Sequence, residues 1–304
     1  FKSVSKNTYI DLMASINKNL TADIKFNSNI GGSYYNDKID GLGAGGKLSR
    51  LANFYSVSEN TTDPPTQSYS HQQLQSLFAT AEFEYKRWLF LNLTGRYEWP
   101  SQLPRGFAAK TSYFYPSVGI SGIFTDALHL PKNILSFGKV RLSYAEVGNP
   151  PGFGITNPVY SLINPDVYRP APFPDYLPER TKSYEAGVEL KFLRNKLFVN
   201  ATVYKSNTTN QLLDQKLTTG GLYTDFYYNA GNIENKGIEA SIGYNRLFGG
   251  FTWNSSAVFT LNRNKVKRLS EGYTNPITGE VYGKDSIRNG TVGNDLINIL
   301  AING

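Results

Sequence analysis

The chain of 304 residues contains no cysteine, two histidines and one methionine. Without cysteine it has no disulfide scaffold and no thiolate metal site. We assign His71 to a long loop and His129 to a turn at the opposite end of the strands, so they cannot share a metal ion or a general-base role. The sequence also lacks a phosphate-binding Walker loop, a GxSxG elbow and an HExxH helix. We therefore expect no cofactor, no metal and no enzymatic activity.

Long apolar runs are also missing, and none approaches the roughly 18 residues that a membrane helix needs. The net charge is +7, from 31 Lys and Arg against 24 Asp and Glu. These charges are interspersed without a basic block, so we expect no nucleic-acid partner. The chain opens on Phe1, Lys2 and Ser3 without a signal peptide. Any export signal is expected to have been removed or to lie outside this piece.

An alternation of apolar and polar residues recurs along the chain. Over residues 184–192, Tyr184, Ala186, Val188, Leu190 and Phe192 alternate with Glu185, Gly187, Glu189 and Lys191. A β-strand turns successive side chains to opposite faces, so each such segment has one apolar face and one polar face. In a soluble sandwich the apolar face meets a second sheet. In a membrane β-barrel it meets lipid, and the polar face lines the lumen.

Ten strands of this kind are predicted, and their connections are of two lengths. The strands are 3–16, 20–35, 70–86, 88–101, 111–125, 136–149, 180–193, 196–213, 230–248 and 251–270. The long connections are 36–69, 102–110, 150–179, 214–229 and 271 onward. At the other end 17–19, 87, 194–195 and 249–250 are short, and one longer link covers 126–135. Because the strands run alternately up and down, all long loops lie at one end. Outer-membrane barrels have this asymmetry.

Charged residues share the polar faces of these strands. They are Glu82, Glu84, Arg96, Arg141, Glu185, Glu189, Lys191 and Glu239. In a dry core each unpaired charge would cost several kcal/mol, roughly 3 or more, whereas in a watery lumen the charges can pair across strands. The functional interpretation is the wall of a conduit. The alternative is a solvent-facing sheet surface with no role.

Aromatic residues in the predicted loops are the candidate contact residues for a substrate or a capping protein. They are Trp99, Tyr113, Phe153, Tyr160, Tyr168, Phe173, Tyr176 and Tyr223. Such rings stack on sugars or pack against a partner protein. Packing within the loops, or a girdle at the membrane interface, would explain them equally. The connection over 150–178 is rich in proline, which predicts a stiffened loop.

Several motifs resemble the SusC/RagA family, the large TonB-dependent transporters of Bacteroidetes outer membranes. They are GKVRLSY at 138–144 with VGN at 147–149, PSV at 116–118, YEAGVE at 184–189 with NKL at 195–197, YKSNTTNQLL at 204–213 and NAGNIENKGIE at 229–239. The last is the most specific match. In order and spacing the resemblance covers about 70–270. It departs from the family at residues 96–101, where RYEWPS replaces the usual RDGSS.

The resemblance implies an all-β fold, in which residues 1–304 form part of a large antiparallel transmembrane β-barrel of about 22 strands. The plug domain and the closing C-terminal strands are expected to lie outside this chain. The implied function is active import of oligosaccharides or peptides across the outer membrane. The implied partners are a SusD-like lipoprotein lid, the TonB–ExbB–ExbD energising complex, the substrate and outer-membrane lipid. The resemblance favours the loops at 99–113 and 150–179 for substrate or lid contact.

Two other classes of protein remain open at this point. A secreted all-β glycan-binding module or adhesin would use the same aromatic residues, but its apolar faces would pack together in a dry interior. An outer-membrane enzyme is a third class, which the missing catalytic residues disfavour.

Overall fold

The computed structural model describes residues 2–44, 66–103, 112–152, 154–156, 176–216, 225–268, 273–274 and 281–282. Ten antiparallel strands form one sheet in which each strand pairs with the next along the chain. The strands are β1 Lys2–Asn19, β2 Ile24–Gly43, β3 Thr66–Tyr85, β4 Leu89–Pro100, β5 Tyr113–Ile123, β6 Leu135–Asn149, β7 Glu179–Phe192, β8 Leu197–Lys216, β9 Asp225–Phe248 and β10 Phe251–Arg268. A separate hairpin pairs β11 Tyr273–Thr274 with β12 Val281–Tyr282. The prediction of ten up-and-down strands is confirmed.

Several strands are longer at the long-loop end than the sequence predicts. Strand β9 begins at Asp225 instead of 230, β3 begins at Thr66 instead of 70, and β2 continues to Gly43. At the extended ends of β2 and β3 both faces carry polar residues, so the alternation of hydrophobicity disappears while the backbone pairing continues. The assignment of His71 to a loop is wrong, and the predicted strand 70–86 already included this residue. His71 lies within β3, and its Nε2 is 2.8 Å from Oδ1 of Asn36 on β2.

The opposite end of the sheet is closed mainly by short turns. Lys86 and Arg87 adopt positive φ angles of 47° and 61°, the conformation of a tight hairpin between β3 and β4. The first turn covers residues 20–23 instead of the predicted 17–19. Its position follows from Thr21, whose Oγ1 accepts hydrogen bonds from the backbone N–H of Asp23 at 3.2 Å and of Ile24 at 3.0 Å.

The connection between β5 and β6 is longer and contains a short helix, α1 Phe124–Ala127. Thr125 is buried, and its Oγ1 accepts a hydrogen bond of 3.2 Å from the backbone N–H of Gly138 on β6. His129 follows this helix, at the end of the sheet opposite His71. In the described residues no helix has the length and apolarity needed to cross a bilayer.

The register aligns the apolar residues of neighbouring strands in rows on one face. One row joins Val140, Val188, Ala201, Ala240 and Phe259 across β6 to β10. The row beside it, on the other face, joins Arg141, Gly187, Thr202, Glu239 and Thr260. We call these the outward face and the inward face.

The outward face is apolar and open to its surroundings. Leu142, Val203 and Ile242 are 57%, 50% and 48% exposed. In a sandwich, a second sheet would bury these side chains. In the described chain the ten strands form one sheet whose apolar side remains uncovered, as in a barrel wall that faces lipid.

Candidate functional site

The bases of the long connections meet at one end of the sheet, which we call the rim. A buried cluster of Leu103, Tyr113, Tyr115 and Tyr176 lies there, with Leu212 and Tyr227 packed against it. These six residues come from β5, β8, β9 and the segments that follow β4 and precede β7. Burial of the aromatic rings provides the main packing energy of this region. The cluster therefore fixes where the long loops leave the barrel wall.

Asn229 on β9 holds the C-terminal end of the 150–178 connection. Its Oδ1 accepts a hydrogen bond of 2.7 Å from the backbone N–H of Leu177, and its Nδ2 donates to the Leu177 carbonyl at 2.6 Å. The same Nδ2 donates to the carbonyl of Asn210 at 2.8 Å. One side-chain amide thus imitates a β-ladder pair. It ties the segment that enters β7 to β8 and β9.

The other parts of this connection are also attached to the rim. Thr156 is buried, and its Oγ1 donates to the carbonyl of Gln102 at 2.5 Å. The Tyr176 hydroxyl donates to the carbonyl of Asn149 at 3.3 Å. Burial raises the pKa of Tyr176 above its ordinary value, so the phenol stays protonated and remains a donor at neutral pH. The 150–178 connection is therefore fixed near both ends.

The structure separates the sequence-predicted aromatic residues into two groups. Trp99 is 37% exposed and stacks on Tyr97 with ring centroids 4.7 Å apart, and pairing aligns both with the outward face. Tyr113 and Tyr176 are buried together, at 6% and 3% exposure. Phe153, Tyr160, Tyr168, Phe173 and Tyr223 lie outside the described residues.

These positions favour the structural alternatives for the three described residues. Trp99 is placed as an interface girdle residue, and Tyr113 and Tyr176 are placed as packing residues beneath the loops. Contact of any of the eight with substrate or lid stays a prediction. Asn229, Thr156 and Gln102 were not identified as site residues. Of these three residues, only Asn229 could have been identified from the sequence, because it is the first residue of the motif at 229–239.

The inward face is lined by polar groups that have partners. Lys191 Nζ lies 3.3 Å from Glu189 Oε1, and Arg96 Nη2 donates to Ser76 Oγ at 2.8 Å. Arg141 donates to Asn200 Oδ1 at 3.4 Å and also to Thr202 Oγ1. Within the described ranges no group of three or more His, Cys, Asp or Glu side chains is placed to hold a metal ion. The face provides a hydrophilic wall and no described reactive centre.

Comparison with known proteins agrees with this geometry. The family model of the TonB dependent receptor-like β-barrel matches residues 3–299. TonB-dependent receptor P26 of Formosa agariphila is 26% identical over 252 residues, which are 78% of this chain and 25% of the relative. TonB-dependent receptor SusC of Bacteroides thetaiotaomicron is 27% identical over 175 residues, which are 52% of this chain and 17% of the relative.

The fold is also found in a solved structure of the RagAB peptide transporter. The two superpose with a TM-score of 0.78 at 19% identity, over 92% of this chain and 33% of that chain. The present chain thus spans about a quarter of the length of P26 and a third of the RagAB chain. The resemblance to SusC and RagA that the motifs suggested is confirmed. The sheet is a segment of an outer-membrane barrel wall, and the chain belongs to the TonB-dependent receptor-like β-barrel family, whose members are receptors and transporters and not enzymes.

Proposed function

We propose that the protein containing this chain imports oligosaccharides or peptides across the outer membrane. In this proposal, residues 1–304 supply a middle portion of the barrel wall and part of its extracellular rim. The plug and the remaining strands lie elsewhere in the protein. The observation that carries the proposal is the pairing of a lipid-type outward face with a polar inward face on a single ten-stranded sheet.

The anchored rim supports a role in binding a lid and a substrate. The described ends of two long connections, 101–112 and 150–178, lie near the buried cluster and are tied to one another by the hydrogen bond from Thr156 to Gln102. A loop fixed at its base loses less conformational entropy on binding than a free loop does. We infer that these connections form part of the surface on which a SusD-like lipoprotein closes over captured substrate.

Energy for import is proposed to come from the TonB–ExbB–ExbD complex. The described inward face has charges of both signs, and Lys191 pairs with Glu189 and Arg96 with Glu98. A moving plug, pulled from the periplasm, is the proposed means of opening the lumen.

Uptake by cells tests the function directly. A strain lacking the full-length transporter should lose growth on one substrate class, oligosaccharide or peptide, at limiting concentration. Plasmid-borne transporter should restore growth, and a protonophore should abolish uptake of labelled substrate. Loss of growth on neither class, or uptake that persists after the proton gradient has collapsed, would contradict the proposal.

A rim variant tests the role of the loops. Asn229→Leu removes the three hydrogen bonds to Leu177 and Asn210. We expect the full-length variant to assemble in the membrane while retaining less lipoprotein on purification and importing more slowly. Asn254→Leu, on the exposed end of β10 near the short turns, is the matched control. Equal lipoprotein recovery from the two variants would contradict a role of the rim in lid binding.

A further inference from the structure

The outward face changes character above its apolar band. On β9, the outward residues from Ile238 to Phe248 are uncharged except for Arg246. The Arg246 side chain lies over the Phe248 ring, with its guanidinium carbon 4.4 Å from the ring centre. Ten residues of tilted strand rise about 25 Å, the height of the apolar band in outer-membrane barrels. The next outward residues toward the long-loop end are Lys236 and Glu234. They therefore lie at the level of the outer-leaflet headgroups.

Basic side chains extend across neighbouring strands at this level. The outward residues here are Arg180 and Lys182 on β7, Lys205 on β8, Lys236 on β9, and Arg263 and Lys265 on β10, with Lys267 joined to them through Glu234. The acidic residues among them are Glu146 and Glu234. We call this group the basic patch. Seven cations against two carboxylates leave it with an excess of five positive charges.

The two carboxylates are already engaged by part of the patch. Glu146 Oε2 is 2.9 Å from Arg180 Nε, and Glu146 Oε1 is 3.7 Å from Lys182 Nζ. Glu234 binds Lys205 at 3.0 Å and Lys267 at 3.2 Å. Lys236, Arg263 and Lys265 are exposed, and none has an ion-pair partner within the described chain.

Lys205, Lys236 and Arg263 form a single cross-strand row. Lys205 pairs with Lys236 and Lys236 pairs with Arg263, with no carboxylate in the row. Strands lie about 4.8 Å apart, and like charges placed directly opposite one another are destabilising. The row begins with the stacked rings of Tyr144 and Tyr184, 4.9 Å apart, which are typical of the membrane interface. Anions bound beside such a row would offset the repulsion between its cations.

At the same level, β4 and β5 present a different surface, because their outward residues are Tyr97, Trp99 and Phe114, with no charge. Outward cations return on β1 and β2, where Lys6 pairs with Lys38, but there Asp40 lies 3.2 Å from Lys38. The row of Lys205, Lys236 and Arg263 differs from that pair because two of its three cations have no ion-pair partner in the described chain.

We propose that the basic patch binds the phosphate groups of a phosphorylated lipid in the outer leaflet, with Lys236 and Arg263 as its principal phosphate ligands. Arg263 offers a planar fork of donors, and Lys236 offers a mobile point charge. Tyr144 and Tyr184 would lie along the glycolipid backbone beneath the phosphates. A phosphorylated lipid matches both the positive charge of the patch and its position at the level of the headgroups.

The test uses the full-length transporter extracted from its own membrane. The double variant Lys236→Gln/Arg263→Gln removes two cations that form no ion pair in the described chain. The control Arg194→Gln/Lys196→Gln removes the same charge from the exposed short turn after β7, on the periplasmic side. Native mass spectrometry after delipidation counts phosphorylated glycolipid retained per transporter. Titration with a bis-phosphorylated glycolipid in detergent gives its affinity, with inorganic phosphate and the purified partner lipoprotein as separate ligands.

We expect the double variant to retain little glycolipid and to bind it about 30-fold more weakly, because two interfacial cations are removed and each contributes roughly 1 kcal/mol to the attraction. The control should behave like the unmodified transporter. Equal lipid retention by both variants would overturn the proposal. So would inorganic phosphate binding as tightly as the glycolipid, or loss of lipoprotein binding with lipid retention unchanged. Heat-modifiable migration of the barrel should be unaffected in both variants, which separates lipid binding from folding.

Discussion

The two faces of β8 and β9 differ although they are built from adjacent residues. On the outward side Ala201 pairs with Ala240 and Val203 pairs with Ile238; one residue along, Thr202 pairs with Glu239 on the inward side. Val203, Ile238 and Ile242 on the outward side are 50%, 42% and 48% exposed, while inward side chains bond to one another across strands. The difference shows that the outward face is packed by lipid and the inward face by its own polar groups. Each prediction below tests one side of this comparison against the other.

The largest effect is expected for a charge placed on the outward face near the middle of the band. Ile242→Arg should destabilise the full-length barrel in lipid vesicles by about 2–4 kcal/mol, because the guanidinium would lie at the bilayer midplane. Ser241→Arg, one residue earlier and inward, should change the free energy of unfolding by less than about 1 kcal/mol. Denaturant titration of both variants measures the difference. Equal costs would mean that the two faces share one environment.

A smaller effect is expected from filling space on the inward face. A Cβ atom added at Gly31 would lie 2.5 Å from Phe78 Cζ and 2.7 Å from the carbonyl oxygen of Leu12. The backbone oxygen cannot move away, so Gly31→Ala should destabilise the barrel by about 1–3 kcal/mol.

The matched variant for the outward face is Gly122→Ala, where the nearest atoms would be 3.9 Å away. Contacts at that distance are ordinary, and the change in the free energy of unfolding should be within about 0.5 kcal/mol. Denaturant titration in the same vesicles compares the two. A cost for Gly122→Ala as large as that for Gly31→Ala would indicate a second protein layer over the outward face.

The smallest effect is expected for an inward ion pair. Lys191→Gln breaks the 3.3 Å contact with Glu189, and the two side chains are 40% and 35% exposed. Pairs in such surroundings contribute about 0–1 kcal/mol, so the free energy of unfolding should change by no more than that. The effect should shrink further in 0.5 M salt if water fills the lumen. A loss of several kcal/mol that is insensitive to salt would place the pair in a dry interior.

Much of the fold could be predicted because alternation is a local signal. The segment at 184–192 and its partner strands lie where the sequence predicts them, because the alternation itself shows which side chains share a face. The outward position of Trp99 could also have been predicted, because Trp99 is an even number of residues from Leu91 and Leu93 on the same strand and therefore shares their face. The extended ends of β2 and β3 could not be predicted, because there polar residues occupy both faces.

The rim contacts could not be predicted because they join distant parts of the chain. Asn229 and Leu177 are 52 residues apart, and Thr156 and Gln102 are 54 apart. Nothing near Leu177 in the sequence specifies an amide partner. The basic patch could be predicted from the sequence only in part. The outward parity of Lys205 and Lys236 is visible in the sequence, but their alignment in one row depends on the register of β8 against β9.

Cysteine scanning across β8 and β9 tests the central claim most directly, and the absence of native cysteine in this chain simplifies it. Single cysteines at 199–203 and 238–242, each carrying a fluorophore, would be exposed to a lipid-soluble and to a water-soluble quencher in vesicles. We predict an alternation, in which positions 199, 201, 203, 238, 240 and 242 respond to the lipid-soluble quencher and the others to the aqueous one. Protection of the first group from both quenchers would contradict the account, because those side chains would then lie in a protein interior.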